Sequence, residues 1–272
     1  AITFDVSVWE LFWWSMVGSK MCLLPVGGEK NPEQILETIA EHRITTMHFV
    51  PAMLHAFLDY VEQQPSKLVE EKLQSLRQVF ASGEALPPQH VDRFRQAVSS
   101  VCEARLINLY GPTEATVDVT YFDCDTDEEL AAIPIGKPIY NTQLYIVQAN
   151  SENLQPIGIA GELCIAGVGL ARGYLNRPEL TEEKFVKNPF VAGERMYRTG
   201  DLARWLPDGN IEYLGRIDDQ VKIRGVRIEL GEIESQMRKL DGLREVVVVA
   251  KQDQAKEKFL CAYMVTDREV ST

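Results

Sequence analysis

The sequence predicts an α/β fold: a parallel-sheet subdomain with helices, a β-rich barrel-like subdomain, and a small, incomplete α/β subdomain at the C-terminal end. Three observations predict it. Between about residues 20 and 110, short apolar runs alternate with stretches of helical spacing. From about 134 the texture changes to short strands and turns, and from about 218 a strand, helix, strand pattern begins again. Apolar strands separated by helices favour a parallel sheet covered on both faces. The expected division is a large domain over 1–217 and the start of a small one over 218–272.

The strands expected in the first part are residues 20–24, 45–50, 76–81 and 105–109. Residues 32–42 and 51–60 have helical spacing, with Ile35, Leu36 and Ile39 on one face of the first. Residues 87–98 read the same way, and Pro87 or Pro88 suits a helix start. In the second part, 143–147, 161–166 and 210–214 read as strands, with a tight turn at Pro207-Asp208-Gly209-Asn210. In the third, 221–224 alternates like a strand, 228–240 has a helical period, and 246–250 and 259–265 return to strand.

Lysine plus arginine total 28 against 40 aspartate plus glutamate, a formal charge of -12, so binding to nucleic acid or an anionic membrane would work against net repulsion. Neither partner is expected. Cys22, Cys102, Cys124, Cys164 and Cys261 are odd in number and widely spaced, which predicts reduced, mostly buried thiols in a cytoplasmic protein. No run approaches a membrane span, and the opening Ala-Ile-Thr-Phe-Asp reads as the interior of a longer protein.

Ligands of such sheets gather where loops leave the carboxyl ends of strands. Two loops qualify: Ala81-Ser82-Gly83-Glu84 and Tyr110-Gly111-Pro112-Thr113-Glu114. In the second, Thr113 and Glu114 are hard oxygen donors suited to phosphate or to Mg²⁺ held against it, while the competing reading is an ordinary turn with Thr113 capping a short helix. Asp201, after the glycine of Tyr197-Arg198-Thr199-Gly200-Asp201, is either a ribose acceptor or a plain turn acid. Arg216 and the cations of 220–225 are either phosphate ligands or a solvated strand face.

Taken together, these segments resemble the adenylation domains of nonribosomal peptide synthetases, within the adenylate-forming enzymes. The resemblance covers essentially the whole chain. It rests on Phe4-Asp5-Val6-Ser7-Val8-Trp9-Glu10, Asn108 to Glu114, Gly161-Glu162-Leu163-Cys164-Ile165-Ala166-Gly167 with Ala171-Arg172-Gly173-Tyr174, Tyr197 to Asp201, and the run from Gly215 to Glu234. It implies a ligase that uses ATP and Mg²⁺ to form an aminoacyl-adenylate. The acyl group is then passed to the phosphopantetheine thiol of a peptidyl carrier domain, with a condensation domain as a further neighbour. No side chain is the nucleophile, so catalysis rests on positioning and charge stabilisation.

By the same resemblance, Gly83, Glu84, Asn108, Tyr110, Gly111, Thr113, Asp201, Tyr213 and Arg216 bind the nucleotide. Thr113, Glu114, Asp201 and Arg216 carry the catalytic contacts, Glu114 holds the metal, Asp218 is the hinge, and Gly225 lies on a loop that enters the site in the second step. The amino-acid pocket is implied to be Asp5, Val6, Trp9, His48, Phe80, Ser82, Leu109, Val117 and Asp118. Asp5 would pair with the substrate ammonium. His48, Ser82 and Asp118 supply polar groups to a narrow pocket, so a small hydrogen-bonding side chain is favoured and L-serine is the expected substrate, with threonine the neighbouring alternative.

Without the resemblance, Trp9 and Phe80 read as core beside Trp13 and Trp14, and His48 as a satisfied core histidine; His42, His55 and His90 read as surface residues. Asp118 reads as a carboxylate alternating into an apolar strand, which wants a partner. Two family parts are missing, a phosphate loop ending near a lysine and a later catalytic lysine. Lys222, Lys251, Lys256 and Lys258 do not replace them, so the chain alone is expected to be inactive or, in a different class, a truncated partner-binding protein.

Overall fold

The computed structural model describes residues 2, 4–126, 130–149, 151–218, 220–223, 225–240, 242–252 and 258–266. The chain divides into two compact units, Ala1–Gly215 and Arg216–Thr272. The first begins with α1 (Ser7–Val17), α2 (Pro32–His42), β1 (Thr46–Phe49), α3 (Pro51–Glu62), α4 (Ser66–Leu73), β2 (Gln78–Ala81), α5 (Pro88–Phe94) and β3 (Arg105–Tyr110). It continues through β4 (Thr120–Asp123), β5 (Lys137–Pro138), β6 (Thr142–Val147), β7 (Gly161–Gly167), α6 (Pro178–Lys184), β8 (Phe185–Lys187), β9 (Arg195–Trp205) and β10 (Ile211–Arg216), whose last residue is the first of the second unit.

The α/β expectation holds, with one refinement. The first sheet runs β1-β2-β3-β4-β5, and only β1, β2 and β3 are parallel; β4 and β5 add antiparallel edge strands. Apolar side chains of α2, α3, α4 and α5 pack on one face of it, where Ile35, Leu36, Leu54, Leu58, Leu73 and Leu76 are buried. Each fully buried side chain of this size contributes about 1.5–3 kcal/mol of transfer free energy. Helix α2 starts where the spacing places it because Asn31 accepts a hydrogen bond from the Gln34 amide and Pro32 fits the first turn.

The second sheet, β10-β9-β7-β6 with β8 beside β9, is antiparallel, and its core includes Leu163, Ile165, Tyr197 and Ile211. In the second unit, β11 (Val221–Ile223) pairs with β12 (Val226–Ile228), and α7 (Leu230–Met237) precedes the hairpin of β13 (Leu243–Gln252) and β14 (Lys258–Thr266). Leu230, Val246 and Val248 are the buried centre of this unit.

Several expectations need correction. Residues 20–24 form no strand, although the run is apolar; it lies on the surface with Leu23 exposed. Trp13 and Trp14 are not core: α1 is apolar nearly all round but buries only Ser7, and Phe12, Trp13, Trp14, Met16 and Val17 are exposed. His90 is buried rather than on the surface, stacked on His55 at 5.1 Å between ring centroids. Only Cys124 and Cys164 of the five free thiols are fully buried. Among the described residues, no helix is long and apolar enough to cross a membrane.

Candidate active site

The loop after β3 is shaped by crowding. A Cβ on Gly111 would sit 2.2 Å from the Val117 carbonyl oxygen and 2.5 Å from Asp118 Cα, so the two backbone segments touch only because residue 111 has no side chain. The segment answering it is strained: Thr116 and Val117 have φ of 63° and 70°, a conformation that a β-branched residue rarely adopts. Residues 116–119 are therefore no strand, and the picture of Asp118 alternating into one is wrong. A hydrogen bond from Thr116 Oγ1 to the Gly169 carbonyl, 2.6 Å, helps hold the turn. Thr113 is the first residue of a short 3-10 turn, Thr113–Ala115, and is not its cap.

Gly111→Ala is expected to force these backbones apart and lower stability by about 1–3 kcal/mol. Denaturant unfolding of the variant checks this, and a melt unchanged from wild type would show that the segments separate freely.

Alternation along β3 sends its side chains two ways. His48 pairs in register with Phe80, and Phe80 with Ile107, so these share one face, continued by Ser82 and Leu109. Asn108 and Tyr110 lie on the other face. Buried Asn108 donates from Nδ2 to the Pro134 carbonyl at 2.8 Å. The Tyr110 hydroxyl donates to Asp201 Oδ2 at 2.5 Å, and burial first, then the Asp201 charge, push its pKa well up.

Asp201 does not follow a simple glycine turn, as the sequence suggested; it lies within β9, at a bulge. Glu162 pairs with Leu202 and Cys164 with Arg198, so Thr199, Gly200 and Asp201 together oppose Leu163 alone. Gly200 takes φ of 72° there. Thr199 Oγ1 donates to the Leu163 carbonyl at 2.6 Å and accepts from the Asp201 amide at 2.9 Å. Glu162 accepts the Gly200 amide at 3.1 Å and Arg198 Nε at 2.9 Å. Sequence reasoning missed Glu162 and Arg198 as supports, because a bulge leaves no hydrophobic period to read. Such insertions re-aim a side chain, here Asp201 toward Tyr110.

Tyr213 lies beside Tyr110, with ring centroids 6.4 Å apart. Glu114 is buried, and its Oε1 accepts from the Tyr174 hydroxyl at 2.7 Å. Burial, followed by Tyr197 and Glu114, raises the Tyr174 pKa. In the sequence Tyr174 is only the last residue of a motif, and nothing local to it signals the contact with Glu114. Among the described residues no three His, Cys, Asp or Glu side chains group as a metal site. Glu114 therefore fits Mg²⁺ only as a single protein carboxylate added to phosphate oxygens, which is how Mg²⁺ is commonly held at nucleotides. Gly83 has φ of 94° and opens the β2 loop with Glu84.

On the other face, buried Ser82 and His48 are joined by a 2.8 Å hydrogen bond between Oγ and Nε2. Trp9 meets the rings of His48 and Phe80 edge-on, at 5.8 and 5.6 Å. Val6, at the start of α1, is buried. Asp5 Oδ2 and Trp9 Nε1 are buried with no hydrogen-bond partner. Burial lowers the His48 pKa to about 4, so the ring is neutral near pH 7. Glu10, not foreseen as a site residue, places Oε1 3.7 Å from His48 Nδ1.

In the second unit, Arg216 Nε donates to Asp218 Oδ1 at 2.8 Å, with a second contact from its terminal nitrogen to Oδ2. Asp218 also accepts the Gln220 amide at 3.2 Å. Asp219, Arg224 and Lys256 lie outside the described residues.

Residues 1–175 match the model of the AMP-binding enzyme family. One of the mycosubtilin synthase subunits of Bacillus subtilis is 68% identical over 97% of this chain, which spans 10% of that protein. Zwittermicin A synthase ZmaJ of Bacillus cereus is 49% identical over 98% of the chain, which spans 50% of it. The chain thus spans a tenth to a half of the length of these relatives. Among solved structures, the Vibrio cholerae adenylation domain AlmE in complex with glycyl-adenosine-5'-phosphate superposes with a TM-score of 0.83 at 31% identity, covering 98% of this chain and 49% of that one. PA1221, a nonribosomal peptide synthetase protein containing adenylation and carrier domains, gives 0.75 at 28% identity, covering 87% and 39%. The chain belongs to the AMP-binding enzyme family, on the adenylation-domain branch of the nonribosomal peptide synthetases.

Proposed function

We propose that this chain is the larger part of an amino-acid-activating domain specific for L-serine, in a cytoplasmic synthetase. In this reading a carboxylate oxygen of serine attacks the α-phosphorus of ATP, and the bond to the leaving pyrophosphate breaks. The resulting seryl-adenylate is then attacked by the phosphopantetheine thiol of a peptidyl carrier domain, releasing AMP. A condensation domain uses the thioester. Residues 1–217 form the large domain and 218–272 begin a smaller one that turns about Asp218.

One observation carries the reading: a buried, unpartnered carboxylate oxygen on Asp5 accompanies a polar pair, His48 and Ser82, in aromatic surroundings. A buried acceptor without a donor costs about 1–3 kcal/mol, a penalty that a ligand ammonium removes. The His48–Ser82 pair asks for a short polar side chain, and an apolar one leaves it unmatched. The glycyl-adenylate bound by AlmE supports a small aminoacyl-adenylate. On the nucleotide side, Asp201 and Arg216 take ribose and phosphate, Asn108, Tyr110, Gly111, Tyr213, Gly83 and Glu84 frame the base and ribose, and Thr113 meets phosphate. Mg²⁺, held by Glu114, supplies charge neutralisation at the phosphates. Leu109, Val117 and Asp118 complete the amino-acid side.

Amino-acid-dependent pyrophosphate exchange by the intact protein, run over all amino acids, tests this. Serine is expected to give the largest kcat/KM, with threonine about 10 to 200-fold lower because one added methyl must be accommodated. A maximum with a large apolar amino acid would end the serine reading.

A further inference from the structure

Glu10 stands outside every role assigned above, yet it faces the ring that organises the amino-acid pocket. Neutral imidazole has one N–H and one lone pair, and its partners decide which nitrogen holds the proton. His48 meets Ser82 Oγ through Nε2 at 2.8 Å and Glu10 Oε1 through Nδ1 at 3.7 Å. Trp9, edge-on at 5.8 Å, fixes the plane of the ring between them. An ionised carboxylate only accepts, so it favours the tautomer with N–H on Nδ1; a lone pair aimed at it would be repelled. At 3.7 Å this is a field effect of the carboxylate charge on the near ring nitrogen and not a direct hydrogen bond.

We propose that Glu10 is a positioning residue that selects the Nδ1–H tautomer of His48, so that Ser82 must donate its only proton to Nε2 and presents acceptor lone pairs to the substrate side chain. The inference rests on the amino-acid pocket proposed above and adds its polarity. With the opposite tautomer, Nε2–H would donate to Ser82, whose own proton would then point into the pocket. With Glu10 in place the pocket accepts a hydroxyl proton. Serine satisfies it, and alanine, of nearly the same size, does not. The serine hydroxyl is thereby held as a donor, a role its O-methyl ether cannot fill, whereas with the opposite tautomer the Ser82 proton would suit either oxygen.

The test uses the intact protein with Glu10→Gln and Glu10→Ala, reading pyrophosphate exchange with serine and O-methylserine together with ¹⁵N NMR of the His48 ring, assigned with His48→Gln. Wild type is expected to show Nδ1 protonated and Nε2 bare. In both Glu10 variants the ratio of kcat/KM for serine to that for O-methylserine should fall about tenfold, because the Ser82 proton then meets an ether oxygen as well as it meets a hydroxyl. The ring signals should move toward the other tautomer. Protonated Nε2 in wild type, or an unchanged serine-to-O-methylserine ratio in both variants, overturns the proposal. Should wild type prefer an amino acid without a hydroxyl, the serine reading fails, and the ring signals still decide whether Glu10 sets the tautomer. Unaltered circular dichroism and melting of Glu10→Gln separate this effect from unfolding.

Discussion

Replacing Asp5 by alanine in the intact protein is expected to lower kcat/KM for serine by about 30-fold or more, with the affinity for ATP retained. The magnitude follows from the roughly 2–5 kcal/mol lost when one partner of a buried, hydrogen-bonded charge pair is removed. Oδ2 of Asp5 is buried and unpartnered in the free protein, so the truncation removes no internal hydrogen bond from that atom. Stability should hold or rise, because an unmatched acceptor disappears. That combination, activity down and melting temperature level or higher, distinguishes a ligand-facing carboxylate from a structural one. Equal losses in ATP and serine binding would show that Asp5 does not meet the ammonium.

Asp201→Ala is expected to raise the KM for ATP about 100-fold or more, since two charge-assisted hydrogen bonds to ribose are each worth about 1.5–3 kcal/mol. Here stability should fall as well, by about 1–3 kcal/mol, because the Tyr110 hydroxyl loses its acceptor. Asp201→Asn keeps an oxygen for Tyr110 and should recover most of the stability while leaving the ATP defect. Titration with ATP and thermal melting of both variants provide the check. A normal KM for ATP in a destabilised Asp201→Ala variant would make Asp201 a purely structural partner of Tyr110.

Where side-chain period and turn chemistry agreed, the sequence was easy to read. Helix α2 occupies the predicted residues because Asn31 and Pro32 mark its start and Ile35, Leu36 and Ile39 its buried face. The loop from Asn108 to Glu114 stood out because a glycine and a proline follow an apolar strand. Other features depended on partners distant in sequence. The bulge in β9 is set by Glu162, 38 residues before Gly200, and the Glu114–Tyr174 contact spans 60 residues. Apolar α1 misled in a different way, since its composition implied core for Trp13 and Trp14 and the fold leaves them partly exposed. His48 combined both readings: its partner Ser82 is 34 residues on, and only parallel pairing of β1 with β2 brings the two together.

The two-way alternation of β3 bears on how this protein can change. In the proposed reading, neighbouring residues of one strand serve different ligands, Leu109 the amino acid and Asn108 and Tyr110 the nucleotide. Substituting odd-numbered positions retunes the choice of monomer and leaves the energy source alone. Inserting or deleting a single residue exchanges the two faces and ruins both at once. Diversification of such a chain therefore runs through point substitutions within a strand of fixed length, and designed changes of specificity should keep to the same rule.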